Sequence, residues 1–290
     1  MKKDFLNPFA VTPFLLALVL CSLTSCNPPP IKNGPYREHY PNGKLRVEAN
    51  YDNGRIEGLL KSYFEDGTLK GEYKYKNGKQ HGMAREYFQD GMLQREAHFK
   101  DGRAEGPIRS FHENGLLRGE AFSQNDQLEG AVREYYENGK LKVETSVKGG
   151  IRQGPSKEFY DNGQLKREAT YRDNKAEGLI RTYYEDGTLR GEAMSNDDKL
   201  EGLAKEFYEN GFLLRETPFQ GGKRQGASKE YFTNGQVKRE VVFQNDLPQG
   251  VARTYYESGQ MRTEEFFEKG ERVRLKRFKP SGELVSDQAF

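Results

Sequence analysis

Ten glutamates are the most prominent acid–base groups of this chain: Glu48, Glu72, Glu96, Glu120, Glu144, Glu168, Glu192, Glu216, Glu240 and Glu264, spaced by 24 residues throughout. A basic residue stands eleven positions before each of them, from Arg37 and Lys61 through Lys157 to Arg253. Carboxylates serve as general acids or bases when one or two of them sit in an asymmetric environment that shifts their pKa. Ten equivalent carboxylates, each with a cation at fixed spacing, read instead as structural ion pairs. The four histidines, His39, His81, His98 and His112, fall at four different positions of the period, and no pair has metal-ligand spacing with a carboxylate. There is no nucleophile elbow, phosphate-binding loop or dinucleotide fingerprint. These residues predict no enzyme, no cofactor and no metal site.

The elements that must position the glutamates follow from two further series with the same period. One glycine series runs from Gly43 through Gly163 to Gly259, the other from Gly34 to Gly250. A fixed period of this size belongs to repeat architectures, in which each unit packs mainly on its neighbours. In the unit Gly154–Glu177 two strand-like runs, Ser156–Tyr160 and Gln164–Tyr171, flank Asn162-Gly163. Nine of ten repeats carry Asn-Gly or Asp-Gly there, Ser258-Gly259 being the departure. That dipeptide between alternating runs signals a two-residue type I′ hairpin, and the polar stretch Arg172–Gly178 reads as a longer loop to the next hairpin. The predicted fold is all-β: an elongated antiparallel meander of about ten 24-residue β-hairpin repeats over 34–273, as an open single layer or a curled sheet. Twenty strands at about 4.8 Å each would extend roughly 95 Å. Residues 274–290 read as a shortened capping hairpin around Ser281-Gly282, with Lys276 facing Asp287.

The charges predict the register. A two-residue loop sets Asp161 opposite Gln164, Tyr160 opposite Leu165, Glu158 opposite Arg167 and Lys157 opposite Glu168. The pair at 158 and 167 covaries between repeats: Arg stands only opposite Glu (Glu86–Arg95, Glu206–Arg215, Glu230–Arg239), and Gly only opposite Ser or Thr. A slip in either direction would set like charges against each other, which destabilises a strand pair. One face then carries Tyr160, Leu165, Ala169 and Tyr171 and their equivalents, with the leucine column expected to stack along the array. The other carries an aromatic column flanked by the ion pairs: Tyr63, Tyr87, Phe111, Tyr135, Phe159, Tyr183, Phe207, Tyr231 and Tyr255. That column is the candidate binding surface, since aromatics interleaved with Arg suit interaction hot spots. Because no repeat shows an odd cluster of titratable residues, function is expected along the surface and not in a pocket.

Mean hydropathy is −0.95 with 31% charged residues, yet 17 Tyr and 18 Phe at fixed repeat positions predict a packed chain and not a disordered one. A net charge of +2, with basic and acidic residues alternating, offers no footprint for nucleic acid. Residues 1–25 stand outside the repeat and read as a signal peptide: Lys2-Lys3, an apolar run Pro13–Leu23 too short to span a membrane, then Leu23-Thr24-Ser25-Cys26. This ending resembles a bacterial lipobox, which implies lipid attachment at Cys26. With Cys21 inside the signal, no disulfide is expected. Residues 26–33 then form a proline-rich tether. Asn27, not an aspartate, favours the outer membrane if the cell is Gram-negative.

The unit Tyr-Tyr-Glu-Asn-Gly-x-Leu-Lys-x-Glu, as in Tyr135–Glu144, resembles the MORN-variant repeat found in bacterial proteins grouped as YwqK-family antitoxins. The resemblance covers 34–290. It implies an elongated antiparallel sheet and a non-enzymatic binding role, and the antitoxin grouping implies a toxin as partner. The functional expectation is a lipid-anchored envelope scaffold that holds another protein, a toxin or an envelope component, through its extended surface. The alternative is a module binding carbohydrate or lipid headgroups. The mixed-sign surface lacks the basic patch that anionic headgroups attract.

Overall fold

The computed structural model describes residues 33–290. Cys26, the signal-like segment 1–25 and the tether up to residue 32 lie outside the described residues. Twenty-five strands, paired antiparallel, and no helix make up the described chain, confirming the all-β meander of hairpins. Within it are two compact units, 33–153 and 154–290, each with its own buried residues.

Strand alternation explains what is buried. In the strand Gly178–Tyr183, Ile180 and Thr182 are buried, while Leu179, Arg181 and Tyr183 keep some exposure. Opposite them, the strand Leu189–Asn196 buries Gly191, Ala193 and Ser195. Period-2 alternation therefore gives each hairpin a closed face and an open face. In unit 33–153 the closed face stacks Val47, Leu60, Tyr73, Ala97, Phe99, Ile108, Leu128 and Val132. In unit 154–290 it stacks Ala169, Tyr171, Ile180, Ala193, Leu200 and Phe219, with a separate group of Val241, Phe243 and Ala252. Each fully buried Leu, Ile or Phe contributes about 1.5–3 kcal/mol. The predicted leucine column is not among these residues. Leu45, Leu165 and their equivalents are half-buried near the hairpin tips.

The tips show why. Tyr160 N–H donates to the Gln164 carbonyl at 2.8 Å, and Gly163 N–H to the Tyr160 carbonyl at 2.9 Å. The loop is thus three residues, Asp161-Asn162-Gly163, with Gly163 at φ 94° and Asn162 outside the positive-φ region. This is a type I turn closed by a left-handed glycine, not the type I′ turn expected. Phe159, not Tyr160, faces Leu165, and Tyr160 faces Gln164. A bulge at Lys166 then restores the interior register, so Glu158 faces Arg167 and Lys157 faces Glu168 as the charges predict. An added residue in the loop and one in the strand cancel. Asparagine is favoured there for its side chain: Asn162 Oδ1 accepts the Gln164 N–H at 2.8 Å, and the other eight Asn or Asp residues at this position do the same. Ser258 fits because this position does not require positive φ.

The type I′ geometry occurs at the opposite end. Asp173 and Asn174 both have positive φ, 51° and 68°, between the paired residues Arg172 and Lys175. Asn125-Asp126, Gly149-Gly150 and Gly221-Gly222 repeat it. The connection expected as a longer loop is therefore the tight turn. The extra residues form a kink at the second glycine series, such as Gly178 at φ 85°, where Glu177 N–H turns back to the Thr170 carbonyl at 2.9 Å.

Candidate functional site

On the open face most of the glutamates contact a side chain of the next hairpin. Arg133 Nε lies 2.7 Å from Glu144 of its own repeat, and its Nη1 lies 3.2 Å from Glu120 of the repeat before. Arg253 bridges Glu264 at 3.2 Å and Glu240 at 3.5 Å, and Glu96 lies between Arg85 at 3.6 Å and Arg109 at 3.4 Å. The guanidinium fork makes this possible, since one planar cation can donate in two directions. Lys157, Lys205 and Lys229 keep the register but form no ion pair among the described residues. The sequence predicted a pair within each repeat; the structure joins the pairs into a ladder.

The candidate aromatic column sits against this ladder. Tyr63, Tyr87, Tyr135, Tyr183, Tyr231 and Tyr255 each donate a phenolic hydrogen bond to the glutamate of the preceding repeat, at 2.6–3.2 Å. Burial, then the bond to the carboxylate and its charge, push the phenols of Tyr63, Tyr135, Tyr231 and Tyr255 up to about 12. The same causes raise Tyr87 and Tyr183. Burial pulls Glu120 upward, but hydrogen bonds from Tyr135 and Arg133 outweigh it and hold the carboxyl below its ordinary value. Phe111, Phe159 and Phe207 occupy the column without a hydroxyl, so Glu96, Glu144 and Glu192 receive no such bond from it. All nine aromatics are half-buried and present ring surface in a fixed orientation.

Next to the ladder lies a second feature, which the sequence reading missed. Strand alternation puts Leu179 on the same face as Arg181 and Tyr183, and its cross-strand partner is Met194. Leu179 and Met194 are 38% and 46% exposed. Leu203 facing Pro218 and Val242 facing Ala227 repeat the pair in unit 154–290, and Phe122 facing Pro107 does so in unit 33–153. Phe122 is 49% exposed. The signal was available: apolar residues recur two positions before the basic column, outside the closed-face period.

At the tips a further aromatic column ties repeats together. Tyr160, Tyr184 and Tyr208 donate to the carbonyls of Tyr183, Phe207 and Tyr231, at 2.7–2.8 Å. The bulge aims the cation it carries over the ring, as with Lys166 over Tyr160 at 5.5 Å. Such a contact contributes about 0.5–1 kcal/mol at an exposed site.

The closed face departs from the uniformity that the sequence reading expected. Residues Ala104, Leu128, Arg152, Ala176 and Leu200 form a buried column. Arg224 takes that place one repeat after Leu200, with its guanidinium 3.9 Å from the Phe243 ring centre. With Arg215, Arg239, Glu230 and Asp246 it lines a cavity of about 500 Å³. Among the described residues no group of His, Cys, Asp and Glu could hold a metal ion. Nor do they include a helix long and apolar enough to cross a membrane.

Tandem hairpins closed by a left-handed glycine and linked by an Arg–Glu ladder define a β-hairpin repeat protein. The family described as MORN repeat variant matches residues 32–53, 56–77, 80–101, 128–148, 152–173, 176–197, 200–220, 224–245 and 248–269, and the chain belongs to it. The stretch 103–124 lies outside those matches, yet it forms the same hairpin, Arg103–Phe111 with Leu117–Gln124. No curated protein matches the chain. Among solved structures, it is similar to the crystal structure of TcdB2-TccC3-Cdc42 at 11% identity and a TM-score of 0.19, over 88% of this chain and 17% of that one. The Tc holotoxin pore of Photorhabdus luminescens with the TccC3-D651A mutation gives 12% identity and a TM-score of 0.19, over 88% and 18%. The chain thus spans under a fifth of those chains, and likenesses at this score carry no argument.

Proposed function

We propose that this MORN-repeat chain is a non-enzymatic scaffold, anchored to the bacterial envelope through a lipid on Cys26, that binds another protein through its open face. The observation that carries the reading is the layering of that face. Exposed apolar pairs such as Leu179–Met194 run beside the Arg–Glu ladder, which runs beside ordered aromatic rings. An apolar strip with polar and Arg-rich flanks has the composition of a protein-recognition surface. The hydroxyl-to-carboxylate bonds fix the rings before binding and so lower the entropy lost on association. An antitoxin or immunity role of the YwqK type fits such a surface, with an envelope-acting toxin as partner.

The experiment is affinity capture from envelope extracts, followed by binding of the captured protein to chains with ten, eight and six repeats. Affinity should fall in steps as whole 24-residue units are removed. Abolition of binding by one conservative substitution, with the fold intact, would point to a discrete site and defeat the extended-surface reading. For the anchor, a fatty-acid analogue should label the wild type and not Cys26→Ala; equal labelling of both would remove the anchor.

A further inference from the structure

The cavity on the closed face of unit 154–290 is lined by three arginines, Arg215, Arg224 and Arg239, that differ in their partners. Arg224 stands where the two preceding repeats bury Ala176 and Leu200, and it is held firmly. Its Nε lies 3.2 Å from Asp246 Oδ1, its Nη2 donates to the Asp246 carbonyl at 2.9 Å, and the group stacks on Phe243. Asp246 is thereby occupied. Arg239 differs: it faces Glu230 in the register, yet it is exposed and makes no ion pair among the described residues. The reason is local. Lys238, at the bulge, reaches Glu230 Oε1 at 2.8 Å. In unit 33–153 the bulge residue is Gln94, and the equivalent Arg95 keeps its carboxylate Glu86 at 3.3 Å. Arg215, on the other wall, lies 3.9 Å from both Glu206 and Glu230, at the outer limit of an ion pair.

We propose that this cavity is a binding site for a carboxylate carried on an apolar body, with Arg239 as its principal anchor. A volume of about 500 Å³ suits a small organic group. The guanidinium fork of Arg239 has all its donors available for a bidentate carboxylate. Phe219, Val241 and Phe243 supply an apolar wall behind it. That wall offers no donors to the further oxygens of a phosphate, which favours a carboxylate on an apolar body. The carboxylate could come from a free small acid or from the C-terminus of a peptide ending in an apolar residue; the chemistry is the same. This site lies on the face opposite the ladder, so its occupancy is independent of the protein-binding surface.

The test is an NMR titration of the full chain, following backbone amides, with benzoate and with the tripeptide Gly-Gly-Phe. Benzamide and inorganic phosphate serve as controls. Benzoate or the tripeptide should shift amides between residues 215 and 246 with a Kd in the low millimolar range or tighter, at about −4 kcal/mol or better. Preference for benzoate would assign a free acid, and preference for the tripeptide a chain terminus. Arg239→Gln, at an exposed position, should weaken binding about tenfold or more, whereas Arg95→Gln should leave it unchanged. Absence of shifts with both carboxylates, binding of benzamide or phosphate as tight as that of benzoate, or equal loss in the two variants would overturn the proposal.

Discussion

Glu120 shows what a repeated residue does in this chain. It accepts from Tyr135 at 2.9 Å and Arg133 at 3.2 Å, and so ties the hairpin that carries it to the next. Glu120→Gln keeps the shape and removes the charge. It should destabilise by about 1 kcal/mol, because the pair is partly exposed and water screens it. The readout is a lower urea midpoint at unchanged slope. Glu144, which has Phe159 in place of a tyrosine, should lose less on the same change. The tyrosines also set a pH dependence. Their phenols ionise near pH 10 in the unfolded chain, and at about 12 in the folded one for Tyr63, Tyr135, Tyr231 and Tyr255. The unfolded state therefore releases protons first. The stability linked to these groups is full below pH 10 and is lost as pH rises through 12. Denaturant midpoints should fall over that window, and replacing the four tyrosines with Phe should flatten the fall.

At the scale of the hairpin, the two turns carry different demands. Gly163 needs its left-handed φ of 94°, so Gly163→Ala should cost about 1–2 kcal/mol. Asn162 needs only its carbonyl oxygen and amide, which accept from Gln164 and donate to the Glu185 carbonyl at 2.8 Å. Asn162→Ala should cost about 1 kcal/mol, and Asn162→Asp less, since the acceptor remains. A type I′ turn would reverse part of this order, because both central residues would then have positive φ. Urea denaturation of the three variants checks it. Lys166 belongs to the same account: without the bulge it occupies, the three-residue loop would set Glu158 against Lys166 and break the register at the ladder.

Over the whole molecule, the ladder imposes a counting rule. Glu168 stands opposite Arg181 of the next hairpin, and a repeat later Glu192 stands opposite Lys205. Removing Gly178–Glu201, one full period, would set Glu168 against Lys205 and keep every face where it was. Removing half a period would join two like strands and expose the closed face. The full-period deletion should retain the β-sheet circular dichroism signal and a cooperative unfolding transition, and the half-period deletion should lose cooperativity. Equal behaviour of the two would show that the strands are not held by register.

The periodicity of glycine and glutamate determined the hairpin, the repeat length and the pairing of Lys157 with Glu168, because like charges exclude the neighbouring registers whatever the loop does. The turn type was not legible. Asn-Gly serves both a type I′ turn and a type I turn closed by a left-handed glycine, and the choice depended on whether the partner strand carried a bulge at Lys166. Nor could one hairpin reveal that Glu120 serves Arg133 and Tyr135 of the next, since that contact needs the sheet spacing between repeats. The candidate aromatic column was correctly assigned to the ladder face, but only the fold showed its tyrosines fixed to carboxylates. Arg224 was visible, with Arg152, as an arginine in a column that also carries Ala and Leu. That it lies on Phe243 beside an unpaired Arg239 was decided by packing, where Lys238 reached Glu230 first.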